Sequence, residues 1–252
     1  MGRSRHCGSL LHGLYLEYAL CLHLVPDRLQ LPSVSLPELS PAASTITIAV
    51  DAVPEGGWRT MLDDLVYLLK IARLTAARNV LELGSYRGLT AAYLVRNVAE
   101  GGRVVAVDID PNHGVAYRGS ELEALIERRT GPLEPALFTA EEEGWYDLIF
   151  VDAGHTFEDV RRDSELAMRL IAPDGCIVWH DYINSGYFNG FNEVPELLHH
   201  LAASKRIIHL EGSTLAVHSP RWTLDQPVEK LSLGGPGVDD HLLSYTEPPH
   251  TR

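Results

Sequence analysis

The stretch "VLELGSYRGLTA", residues 80–91, decides how the rest of the chain is read. The apolar run Asn79–Leu83 reads as a buried strand, Gly84 and Gly88 punctuate a turn, and helical spacing resumes from Leu89, predicting a helix over Leu89–Val98. A strand that turns sharply into a helix is the opening unit of an α/β fold. The same alternation continues on both sides. Apolar residues at helical spacing run from Met61 to Leu74, and further strands are predicted at Arg103–Val107, Ala136–Thr139, Asp147–Val151, Cys176–Trp179, Ile207–Leu210 and Leu215–His218. Helices are predicted at Val115–Arg129, ended by Gly131, at Phe157–Ile171, ended before Pro173, and at Glu193–Ala203. Alternating strands and helices imply a mostly parallel sheet, right-handed crossovers and helices on both faces. The last two strands, joined through Gly212-Ser213, are expected to form an antiparallel hairpin at one edge.

With 252 residues, 45% of them apolar, the chain can bury one sizeable core. Residues 1–57 read as an N-terminal helix and arm, a lid or an oligomer contact: Leu10–Val25 is amphipathic, and 26–57 carry five prolines, the pair Gly56-Gly57 and one alternating segment, Thr45–Ile48, with strand character. Residues 58–219 form the main domain, and 220–252 a tail rich in Pro, Gly and Asp. The formal charge of −13, with no basic run, excludes nucleic acid and anionic membrane surfaces as partners. Leu10–Val25 is too short and too polar to span a membrane. Cys7, Cys21 and Cys176 are too few and scattered for a disulfide framework or a CxxC metal site. A reducing, cytoplasmic setting is expected.

Open parallel sheets bind ligands beyond the carboxyl ends of their strands. The first strand ends on Glu82, Gly84, Ser85 and Gly88, where glycine permits close approach and the next helix offers unpaired N–H groups. The second ends on Asp108, where a carboxylate can accept both hydroxyls of a ribose. A dinucleotide site would want a middle glycine, which is missing, and Glu82 would repel a diphosphate and favour a cationic or amine-bearing ligand.

E-L-G-S-Y-R-G followed by the acid at Asp108 resembles the class I S-adenosylmethionine-dependent methyltransferases, over roughly residues 58–219. The resemblance implies a Rossmann-like, seven-stranded, mostly parallel sheet with a reversed final hairpin. It implies S-adenosylmethionine as cofactor, with Gly84 to Gly88 beside its methionine part, Glu82 ordering that loop, Asp108 on the ribose, and Thr139-Ala140 near the adenine.

Two further strand ends, "VDAGHTFEDV" (151–160) and "IVWHDY" (177–182), carry the rest of the chemistry. If these strands are neighbours, as the resemblance implies, Asp152 and the pair His180-Asp181 stand side by side, about 4.8 Å apart, and two carboxylates there need a shared proton, a nearby cation or a divalent metal. Asp152 and Asp181, with His180 or waters completing the shell, would suit an oxygen-preferring ion such as magnesium. D-x-x-H and the acid-bearing pair are similar to the metal-dependent macrocin and macrolide-sugar O-methyltransferases, which implies Asp152 and Asp181 as metal ligands. His180 stands where that group has an acid, and imidazole suits manganese, iron or zinc better than magnesium. His155 is then the candidate general base, taking the proton from a hydroxyl that metal coordination has acidified. The expected substrate is a hydroxylated small molecule, sugar-bearing or polyketide-type. The loop "YINSGYFNGFNEV" offers Tyr182, Tyr187, Phe188 and Phe191 as apolar faces for it, or as packing against the arm. Similar enzymes are often homo-oligomers, and the same is expected here.

Competing readings remain open at this level. His155 could cap the helix that starts near Thr156, or pair structurally with Asp152. Asp181 could be a loop acid and His180 could merely line the sheet end. Glu141-Glu142-Glu143, Asp159 and Asp163 read as solvated. Other functions on such a chain are an NAD(P)-dependent oxidoreductase, a non-heme iron oxygenase built on Asp152, His155 and His180, and a non-catalytic cofactor-binding scaffold.

Overall fold

The computed structural model describes residues 31–50, 62–183 and 192–222. The expected N-terminal helix, the Gly56-Gly57 turn, the aromatic residues at 187, 188 and 191, and the tail beyond 222 lie outside them. Strand β1 (Ser33–Val34), helix α1 (Leu36–Leu39) and helix α2 (Leu62–Leu74) precede the strand–turn–helix unit β2 (Asn79–Leu83) and α3 (Leu89–Leu94). Then follow β3 (Arg103–Asp108), β4 (Ile126–Thr130), β5 (Tyr146–Val151), α4 (Phe157–Leu170), β6 (Ile171–Trp179), α5 (Val194–Ala202), β7 (Ile208–Leu210) and β8 (Ala216–His218).

The strands form one sheet in the order β1-β7-β8-β6-β5-β2-β3-β4. β2 and β5 are central and pair in parallel, Leu83 opposite Val151, while β8 runs antiparallel to both β6 and β7. The mostly parallel sheet with a reversed final hairpin is as the sequence predicts. An eighth strand comes from the arm, where Ser33 and Val34 pair with His209 and Leu210.

Side chains alternate across a strand, so each strand feeds two cores. Val80, Leu148, Phe150 and Val178 pack with α2 and α3, whereas Leu81, Leu83, Ile149, Val151 and Trp179 pack with α4 and α5. Parity therefore sends Asp152 and His180, each next in its series, towards the α2 side. Register puts them adjacent, one step beyond the Val151–Trp179 pair.

Three expectations fail, for local reasons. Val115–Arg129 is not a helix: Gly119 takes φ +75°, Ser120 caps the short 3-10 turn Glu121–Leu125, and Ile126–Thr130 is an edge strand. Only Ile126 of that strand is buried, so its apolar signal is weak. Ala136–Thr139 is not a strand; Pro135–Leu137 and Ala140–Glu142 are 3-10 turns that bury Phe138. Thr45–Ile48 is not a strand either, and follows the 3-10 turn Pro41–Ser44. Among the described residues no helix is long and apolar enough to cross a membrane.

Candidate active site

The turn after β2 is set by backbone sterics. Gly84 has φ +90°, and a Cβ there would lie 2.1 Å from the Asp152 carbonyl oxygen, so no side chain fits. Its N–H and that of Ser85 both donate to the Val107 carbonyl at 3.0 Å, locking the turn to β3. Gly88, at φ +79°, caps α3 where a Cβ would strike the Tyr117 ring. Asp108, ending β3, accepts the Tyr86 N–H at 2.6 Å and the Asp110 N–H at 2.9 Å. Two oxygens of a carboxylate have lone pairs beyond those two bonds, enough for a diol.

Glu82 is buried beneath this turn. Burial holds its carboxyl well above the usual carboxylate range, the Ser85 side chain pulls the other way from outside hydrogen-bonding geometry, and the charges of Asp152 and Asp108 reinforce the rise. Glu82 Oε2 and the Ser85 hydroxyl both stay without a hydrogen-bond partner.

A cavity of about 480 Å³ opens beside the turn. Gly84, Tyr86, Asp108 and Ile109 form one wall, Gly131 to Glu134 a second, and Asp152 to Gly154 with Asp159, Arg162 and Asp163 a third. Thr139 and Ala140 do not line it. Their expected place near an adenine followed from a strand ending at Thr139; with β4 ending at Thr130, the residues at the strand end are Gly131, Pro132 and Leu133. Asp163 is not solvated as expected: it is 1% exposed, burial pushes its carboxyl up to about 6, and its Oδ1 has no hydrogen-bond partner. Glu142 is buried too, clamping Arg129 at 2.9 and 3.1 Å, and so fastens β4 to the start of β5.

At the ends of β5 and β6 four side chains meet. His155 Nε2 lies 2.7 Å from Asp181 Oδ2, and His180 Nδ1 lies 3.0 Å from Asp152 Oδ1 and 3.2 Å from Asp181 Oδ1, without the direction of a well-formed hydrogen bond to either. The Asp181 hydrogen bond raises the His155 pKa above its ordinary value; burial opposes this, and the charges of Asp181 and Asp152 add to it. For His180 burial alone would lower the pKa, but Asp152, Asp181 and Asp64 outweigh it and hold the imidazole well above its usual range. His155 is not the helix cap. Thr156 takes that role, accepting the Asp159 N–H, and the His155 carbonyl is tied to the Glu193 N–H at 2.7 Å.

Ligand atoms of Asp152, His155 and Asp181 lie within 4.8 Å of one another, two carboxylates and an imidazole that fit a divalent ion. The expected set had His180 in place of His155. His180 instead sits behind the pair, its Nε2 3.2 Å from Asp64 Oδ2. An iron triad of Asp152, His155 and His180 is therefore not the group that converges among the described residues.

The site has two members that sequence reasoning missed. Asp64, fully buried on α2, accepts the Thr214 N–H at 2.6 Å and the Thr214 hydroxyl at 2.9 Å as well as facing His180. Thr214 Oγ1 in turn accepts the Asp181 N–H at 3.3 Å. The available signal was an acid in register with Leu68, Ile71 and Ala72 on the buried face of α2.

Residues 81–182 match the family model described as a methyltransferase domain. The matched span runs from within β2 to the residue after Asp181 and includes every expected cofactor, metal and catalytic residue. A catechol O-methyltransferase from Niastella koreensis is 31% identical over 126 residues, 48% of this chain and 56% of that protein. A catechol O-methyltransferase domain-containing protein 1 from Mus musculus is 30% identical over 147 residues, 54% of each. The chain thus spans a little over half the length of the curated relatives it matches.

Solved structures share this fold. An O-methyltransferase from Bacillus cereus in complex with SAH superposes with a TM-score of 0.53 at 20% identity, over 81% of this chain and 97% of that one. TomG, an O-methyltransferase of tomaymycin synthesis from Streptomyces achromogenes, in complex with SAM, gives 0.51 at 19% identity over 72% and 89%. These likenesses establish the Rossmann-like architecture.

Proposed function

We propose that this chain is an S-adenosylmethionine-dependent O-methyltransferase that methylates a hydroxyl of a small molecule, with residues 58–219 as its catalytic unit. The observation that carries the reading is the adjacency of two half-sites. A cavity framed by Gly84, Asp108 and Gly131 ends at Asp152, and beyond it stand His155 and Asp181. The names of the catechol O-methyltransferase relatives support a hydroxyl acceptor.

S-adenosylmethionine brings a methyl group already activated by its sulfonium, so the protein's work is to align oxygen, carbon and sulfur and to remove one proton. His155 takes the proton from the acceptor hydroxyl as the oxygen bonds to the methyl and the sulfonium leaves as a thioether. Asp181 orients that imidazole and stabilises its protonated form. In the metal-assisted form Asp152 and Asp181 would hold a divalent ion, magnesium, manganese or iron, which when bound would acidify a coordinated hydroxyl, while His155 stays uncoordinated as the base. The acceptor we propose is a sugar-bearing or polyketide-type natural product, for which catechol serves as a simple probe.

A second, metal-free reading is favoured by His180: a cationic imidazole between Asp152 and Asp181 offsets their repulsion without an ion. Calorimetry separates the possibilities. Binding of S-adenosylmethionine, and of Mn²⁺ that disappears in Asp152→Ala and Asp181→Ala, supports the metal-assisted form. Cofactor binding with no ion bound leaves the second reading. Tight NAD(H) binding without S-adenosylmethionine binding would end both.

A further inference from the structure

We propose that Asp64 is the positioning residue of the acceptor half-site: it holds His180 and, through Thr214, the backbone of Asp181, and so keeps Asp152 and Asp181 converging on one point. The proposal rests on the methyl-transfer reading above, but Asp64 lies outside the matched span of 81–182 and lines no part of the cavity. Its evidence is geometric.

Asp181 has φ +59°, a left-handed conformation that costs a non-glycine residue free energy and persists only where its surroundings over-determine it. The surroundings are specific. Its N–H donates to Thr214 Oγ1 at 3.3 Å, and its carbonyl accepts Asn192 Nδ2 at 2.8 Å. Thr214 is in turn fixed by two hydrogen bonds to Asp64, at 2.6 and 2.9 Å. The same carboxylate faces His180 Nε2 at 3.2 Å, which turns Nδ1 towards Asp152 and Asp181. Three segments remote in sequence, α2, the end of β6 and the β7–β8 turn, are thereby joined through one buried side chain. Ligating carboxylates depend on the outer-shell hydrogen bonds that hold them in place, and losing such support weakens metal sites by about 10–100-fold.

The test uses the full chain and two variants, Asp64→Asn, which keeps the volume and removes the charge, and Thr214→Val, which removes the hydroxyl. Each is measured for S-adenosylhomocysteine affinity, for kcat and KM of methyl transfer to catechol, and for Mn²⁺ affinity by calorimetry. The expected result is a fall of about 10–100-fold in kcat and in Mn²⁺ affinity for Asp64→Asn, and a smaller fall for Thr214→Val, with S-adenosylhomocysteine affinity within about twofold of wild type. Wild-type kcat and Mn²⁺ affinity in both variants overturn the proposal, as does cofactor affinity falling in parallel with kcat, which marks Asp64 as merely structural. If Asp64→Asn does not fold, Thr214→Val decides alone. Failure of the methyl-transfer reading shows in the wild type, as absence of turnover; the Mn²⁺ comparison then decides for Asp64. A wild type that binds no Mn²⁺ leaves the kcat comparison to decide, and one with neither activity nor Mn²⁺ binding overturns both.

Discussion

The two halves of the site are built differently. The half at the ends of β2 and β3 is made by backbone: Gly84 is forced by a carbonyl 2.1 Å from where its Cβ would stand, and Asp108 is held by two N–H groups within its own loop and the neighbouring turn. The half at the ends of β5 and β6 is made by charge. His155, His180, Asp152 and Asp181 balance one another, and their balance depends on Asp64 and Thr214, far away in sequence. Backbone rules leave a local trace in sequence, whereas a charge network leaves one only at the residues that touch the ligand.

If the division is right, substitutions should separate by what they damage. The largest effect expected is His155→Ala: kcat falls by about 10²–10⁴-fold while calorimetry shows S-adenosylhomocysteine affinity nearly unchanged. A large loss of affinity would merge the two halves. Gly84→Ala should do the reverse, losing at least about 100-fold in S-adenosylhomocysteine affinity and lowering Tm, because both φ +90° and the Asp152 carbonyl oppose a side chain. Asp108→Ala should weaken the same affinity by about 10–100-fold, through lost hydrogen bonds to a charged group; unchanged affinity would undo the ribose assignment.

The pH dependence sharpens the contrast. A general base must be neutral, and the His155 pKa is raised by Asp181, so kcat should climb as pH increases through a value above 6.5. Stability should move the other way. Histidines whose folded pKa exceeds the unfolded value contribute stability that is complete below about 6.5 and is lost as pH rises through the folded pKa, so the metal-free protein's Tm should fall over the range in which kcat grows. Parallel curves would contradict the assignment. The smallest effect expected is on Glu82, which burial keeps well above its ordinary pKa. Glu82→Gln should raise Tm modestly at pH 8 and make little difference near pH 4.5, since it removes an ionisation that folding opposes.

What was legible follows the same division. The strand–turn–helix at 79–94 and the reversed hairpin could be read because period and glycine are local rules, whereas the side-by-side placement of Asp152 with His180-Asp181 was implied by the family resemblance. β4 could not: Ile126–Thr130 presents one buried residue, and Gly119 and Ser120 interrupt what had looked like helical spacing. The expected adenine contacts at Thr139-Ala140 rested on a strand ending at Thr139; the residues that follow β4 and line the cavity are Gly131 to Glu134. Asp163 was hidden because an acid on a charged helix reads as solvated, although it is buried against the cavity. Asp64 was hidden beside Asp63 for the same reason, and only its register with the apolar face of α2 sets it apart.

The most direct measurement is mass-spectrometric detection of methyl transfer from S-adenosylmethionine to catechol, with wild type and His155→Ala compared at equal cofactor saturation. The account predicts O-methylated product and S-adenosylhomocysteine in equal amounts from the wild type, and essentially none from the variant although it still binds cofactor. Turnover by His155→Ala at the wild-type rate would contradict it, as would a wild type that binds S-adenosylmethionine and methylates neither catechol nor any other hydroxyl offered.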